Sequence, residues 1–71
     1  MEPTTVCVDP SGSGIWEVTL PDPDDRVACE TLADAQQLAY SVAARSRPCE
    51  LIVRDAYHRL LRHEYLEERV N

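Results

Sequence analysis

From Thr4 to Asp9 apolar and polar residues alternate, with Val6 and Val8 on one side and Thr5 and Cys7 on the other. That is the period of a half-buried strand. The cluster Asp9-Pro-Ser-Gly-Ser-Gly14 ends the run with glycines free to take positive φ. Ile15–Leu20 resumes the alternation, sending Trp16, Val18 and Leu20 one way and Glu17 and Thr19 the other. After a second turn, Pro21-Asp-Pro-Asp-Asp25, the short run Arg26–Glu30 reads as a third strand with Val27 and Cys29 inward. Consecutive strands joined by such short turns pair antiparallel.

At Thr31 the period changes. Ala35, Leu38, Ala39, Val42 and Ala43 recur at the spacing of one helical face, while Gln36, Gln37, Ser41 and Arg45 fall mainly elsewhere. Thr31 is a favourable N-cap, because its hydroxyl can accept a first-turn amide that lacks a helical partner. Asp34, three residues on, suits the positive end of the helix dipole and can reach back towards the cap. Pro48 disfavours helical geometry at Arg47. The pattern therefore predicts a helix from Leu32 to Ser46.

Cys49–Arg54 is a fourth strand, with Cys49, Leu51 and Val53 on one face. The last segment fits two patterns. As a strand, Arg59–Leu66 sets Leu61, His63 and Tyr65 against Leu60, Arg62, Glu64 and Leu66. As a helix capped by Asp55, it aligns Tyr57, Leu60, Leu61 and Tyr65, and its Leu, Arg and Glu content has good helical propensity. A hairpin needs a turn at Asp55-Ala-Tyr-His58, which lacks the usual Gly.

The expected fold is α+β, a single small domain over residues 1–71 with element order βββαββ. The helix packs on one face of an antiparallel sheet, and residues 56–66 are strand or helix. The expected core is Val6, Val8, Trp16, Val18, Leu20, Val27, Leu38, Val42, Leu51 and Val53. One helix covers one face, so the other, with Ile15, Ile52 and Leu60, stays partly open. Such a face, or an unpaired strand edge, invites another chain.

Composition narrows the functions. The net charge is −6, with residues 1–44 holding eight acids and one Arg, and residues 45–71 holding six Arg and five acids. An acidic chain repels phosphate backbones, so general nucleic-acid binding is disfavoured. The stretch Arg45–Arg62 carries five Arg against two acids, which makes it the one candidate basic patch. Every basic residue is Arg, and Lys and Phe are absent, a bias of GC-rich bacterial coding. Cys7, Cys29 and Cys49 are odd in number and form no Cys-x-x-Cys, a poor disulfide framework and a poor zinc site. Their plain reading is reduced, buried thiols. No apolar stretch approaches the ~20 residues that cross a bilayer, and no signal peptide is recognised, so the expected location is the cytoplasm.

No residue set assembles a catalytic constellation. His58 and His63, five positions apart, share no face on a strand or a helix. Asp22, Asp24 and Asp25 lack the Gly and distal Glu of a calcium loop and read as a solvated turn. Ser11 and Ser13 have no histidine at catalytic spacing, and their turn lacks the Lys of a phosphate loop. Tyr40, Tyr57 and Tyr65 do not interleave with base-reading residues. Trp16 is either a binding hot spot or, in so small a core, a packing residue. No cofactor or metal is implied, and no membrane.

Trp16-x-Val18, then Thr31-x-x-Asp34-Ala35 opening an Ala-rich helix, then Glu50-Leu-Ile-Val-Arg-Asp55, together resemble the small bacterial family named domain of unknown function 2188. The likeness runs from about Val6 to about Tyr65. It implies a strand-rich sheet with one helix, the last two strands forming a hairpin around an Asp-Gly turn, and it implies no activity. Here Ala56-Tyr57-His58 stands where that Gly is expected. Trp16-Glu-Val-Thr-Leu-Pro-Asp22 followed by Thr31-Leu-Ala-Asp-Ala35 is similar to the opening of HicB-type antitoxins, which neutralise a small RNase. That likeness stops at the helix and implies a sheet able to bind protein.

The functional expectation is a non-enzymatic protein-interaction module, self-associating or with a protein partner. Ile15, Ile52, Arg54, Arg59 and Arg62 are the candidate partner-binding residues. The alternative is a nucleic-acid-associated regulator or an antitoxin-like neutraliser of an RNase. A small hydrolase ranks last, since it requires a deep polar pocket around His58 or His63.

Overall fold

A computed structural model of the chain describes residues 3–22 and 24–68. Strands β1 (Thr4–Pro10), β2 (Trp16–Thr19) and β3 (Arg26–Cys29) precede helix α1 (Leu32–Arg45), and β4 (Cys49–Arg54) and β5 (Leu60–Leu66) follow it. The strands form one five-stranded sheet in the order β3-β2-β1-β4-β5. The α+β class, the order βββαββ and the single helix on the sheet match the sequence reading.

The sheet is mixed, whereas the turns alone suggested an antiparallel one. β1–β2, β2–β3 and β4–β5 are antiparallel, but β1 and β4 run parallel, with Val6 beside Leu51 and Val8 beside Val53. The cause is the helix. It carries the chain from the end of β3 back across β2 and β1, so β4 starts at the same end of the sheet as β1. Thr4 fixes that junction, its amide donating to the Pro48 carbonyl and its hydroxyl to the Ser46 carbonyl, both at 3.1 Å.

Helix α1 starts as expected. The Asp34 amide donates to Thr31 Oγ1 at 3.1 Å, and Thr31 itself is extended. Ala35, Ala39 and Ala43, four residues apart, are its fully buried positions, with Leu32, Leu38 and Val42 packed at the sides. Without long side chains on the central ridge, the helix axis settles close to the sheet. The rest of the core is Val6, Val8, Val18, Cys49, Leu51, Val53 and Leu66, each of the larger aliphatic side chains contributing ~1.5–3 kcal/mol on burial. Trp16, Leu20, Leu38 and Val42, expected inside, are only half-buried. Val27 is exposed at 36%, because β3 is an outer strand at the margin of the helix.

The last element is a strand. Asp55 supplies what the missing Gly would have allowed. Its Oδ1 accepts the Tyr57 amide at 2.8 Å and the Arg59 amide at 3.0 Å, its amide donates to the Arg59 carbonyl, and His58 takes a positive φ of 62°. This is a three-residue hairpin loop with His58 in the left-handed position. A register shift follows it, since Arg54 faces Leu60 but Val53 faces Arg62, leaving Leu61 as the extra residue.

Candidate functional site

The face of the sheet away from α1 is open, but it is not bare. Paired residues share a face, so Cys7, Glu17, Arg26, Glu50, Ile52, Arg54, His63 and Tyr65 stand on it together. Three polar side-chain pairs cross from strand to strand. Glu17 meets Arg26 at 3.4 Å between β2 and β3, and Asp9 meets Arg54 at 3.1 Å between β1 and β4. Glu50 meets His63 Nε2 at 2.6 Å between β4 and β5. The long side chains of these pairs leave Cys7 and Ile52 half-buried. Burial pushes the Cys7 thiol up from its ordinary pKa, with the Arg54 guanidinium partly offsetting it. Arg54 in turn is held more firmly charged by Asp9, which bonds it through both carboxylate oxygens.

The five candidate binding residues do not come together. Ile52 and Arg54 lie on the open face. Ile15 does not, because β2 begins at Trp16 and Ile15 spends its backbone groups on the preceding turn, to Ser11 and Gly12. It lines a cleft of about 270 Å³ at one end of the sheet, with Pro10, Trp16, Ala56 and His58. Arg59 serves the hairpin, bonding Asp55 at 3.3 Å and lying 5.2 Å over the Tyr57 ring. Arg62 is on the helix side, opposite Val53, and pairs with Glu64 at 3.0 Å. Leu60, by contrast, faces Arg54 on the open side once the register has shifted.

Of the Arg45–Arg62 stretch, Arg54, Arg59 and Arg62 each have a carboxylate partner, so the basic patch is neutralised where it meets the sheet. Arg45 and Arg47 sit at the helix end beside Glu68. Neither histidine lies in a deep polar pocket. His58 rims the mostly apolar cleft, 4.0 Å from Asp9, and His63 lies on the sheet face with Glu50. Among the described residues no group of three or more His, Cys, Asp or Glu is arranged to hold a metal, and no buried side-chain nitrogen or oxygen lacks a partner. Asp22 uses its carboxylate on the Asp24 amide at 3.2 Å, as a turn residue does, and Pro23 of that turn lies outside the described residues. Cys7, Cys29 and Cys49 are free thiols, Cys49 fully buried. Among the described residues no helix is long and apolar enough to cross a membrane.

What remains is an edge. The helix packs over β1, β2, β3 and β4, leaving β5 at its margin, and β5 ends the sheet with seven residues and, among the described residues, no further neighbour. Leu60, Leu61 and Tyr65 along it are 63%, 52% and 52% exposed, an unusual concentration for a free strand. On the helix side, Arg62 closes a groove of about 610 Å³ against Leu32, Gln36 and Tyr40. Sequence reasoning passed over Leu61 and Tyr65 because residues 56–66 fitted either structure, and only a strand makes an edge. No protein-family model, no curated protein and no solved structure matches the chain.

Proposed function

We propose that the chain is a non-enzymatic protein-interaction module that takes up a partner by strand addition along β5. The observation that carries this reading is the unpaired outer edge of β5 with Leu60, Leu61 and Tyr65 exposed beside it. An unpaired edge offers a row of amides and carbonyls to an incoming strand, and neighbouring side chains supply selectivity. The likeness to HicB-type antitoxins supports the same reading, since those proteins act by binding another protein. The likeness to the domain of unknown function 2188 family supports the fold and adds no chemistry. Three free thiols fit a reducing, cytoplasmic setting. The acidic net charge and the paired arginines argue for a protein partner over a nucleic acid.

A photo-reactive residue placed at Leu61 or Tyr65 in the native cell tests the reading. The expected result is a discrete covalent adduct from these positions and none from Gln37 on the exposed helix surface. No adduct from either β5 position, with the protein folded, would defeat it.

A further inference from the structure

Resting on the reading of β5 as a docking edge, we infer that its occupant is a second copy of this chain, added antiparallel about a two-fold axis beside His63. The strand reads Leu60-Leu-Arg-His-Glu-Tyr-Leu66. A two-fold axis normal to the sheet pairs an edge strand with its own copy, so each residue faces the one equally far beyond the centre. With the centre at His63, the two His63 imidazoles face each other, Arg62 faces Glu64 of the copy and Glu64 faces the copy's Arg62. Leu61 then faces Tyr65, while the register shift ends regular pairing before Leu60 and Leu66 stays in its own core. Both charge contacts are attractive, and the flanking contact is aliphatic on aromatic.

Neighbouring registers fail on charge. Centring on Arg62 sets that Arg against itself, and centring on Glu64 opposes two carboxylates, each a like-charge contact across the strands. Of these three registers, only the one centred on His63 sets Arg62 against Glu64. Edges guarded against pairing carry Pro, bulges or charges of one sign; 60–66 has no Pro, its register shift lies at one end, and its charges at Arg62 and Glu64 are opposite in sign. Arg62 and Glu64, with side chains 48% and 40% exposed and 3.0 Å apart, are accessible to a second pair of charges. The pairing fuses two sheets into one of twice the width, with both helices on the same face.

Sedimentation equilibrium of the full chain, of Arg62→Glu, of Glu64→Arg, and of the two variants mixed tests the inference. Wild type is expected to approach twice the 8.0 kDa chain mass. Each variant alone places like charges across the axis twice and should associate at least about tenfold more weakly. The mixture should recover wild-type affinity, because every Glu of one variant then faces an Arg of the other. Circular dichroism confirms that both variants fold. Variants that associate as well as wild type, or a mixture no tighter than its components, would overturn the register. Wild type remaining at the chain mass at millimolar concentration would overturn the second copy as occupant. If β5 cross-linkers then still capture a different protein, only the self-pairing fails; if they capture nothing, the docking edge fails with it.

Discussion

His58 occupies a left-handed backbone position, φ 62°, with a side chain that is largely exposed. An L-residue pays for that conformation and Gly does not. His58→Gly is therefore expected to raise stability by about 0.5–1 kcal/mol, read as a higher thermal midpoint. Asp55 holds the same loop, and its bond from the Arg59 amide, followed by that from Tyr57, lowers its pKa below the usual carboxylate value. A depressed pKa means stability that is complete above the unfolded value, about 4, and lost as pH falls through the folded one. Asp55→Asn should flatten that acid limb in denaturation followed from pH 6 to pH 2, while wild type keeps the slope. The residue scale also explains why this segment was ambiguous in sequence. An Asp that accepts amides two and four positions on serves a hairpin much as it would serve a helix start, so its presence marked a boundary without saying what followed.

At the scale of elements, legibility tracked how local each cause was. Helix α1 was readable because its cap, its apolar period and its stop all lie within its own residues, and the structure ends it at Arg45, one residue from the expected end. The parallel pairing of β1 with β4 was not readable, since it depends on where the helix delivers the chain. Which helical residues are central also escaped the pattern. Leu38 and Val42 looked like core and are flanks, whereas the alanines form the ridge, because depth is set by the sheet's approach rather than by hydrophobicity. Ala39→Leu should force the helix off the sheet and cost about 1–3 kcal/mol, measured by urea unfolding. An unchanged midpoint would mean that the ridge is not closely packed. Among the proposed binding residues, alternation placed Ile52 correctly on the open face. The register shift at Leu61, a non-local feature, is what returned Leu60 to that side.

Across the whole molecule, the helix buries one face of the sheet and a ladder of polar pairs dresses the other, the ion pairs Glu17–Arg26 and Asp9–Arg54 and the hydrogen-bonded Glu50–His63. The sequence suggested either an apolar open face or an unpaired strand edge as the docking surface. The structure moves attention to the rim, where β5 lies at the margin of the helix and, among the described residues, no strand pairs with its outer edge. Alternate residues of β5 must direct their backbone groups outward, into water when alone and into a new ladder when occupied. Amide hydrogen exchange across residues 60–66, followed by NMR at rising protein concentration, reads that difference directly. The expected result is slowing confined to the alternate, outward-directed amides of residues 61–65 as concentration increases, with Val6, Val8 and Leu51 already protected throughout. Outward amides of β5 that exchange at one rate from micromolar to millimolar protein would contradict self-pairing at this edge.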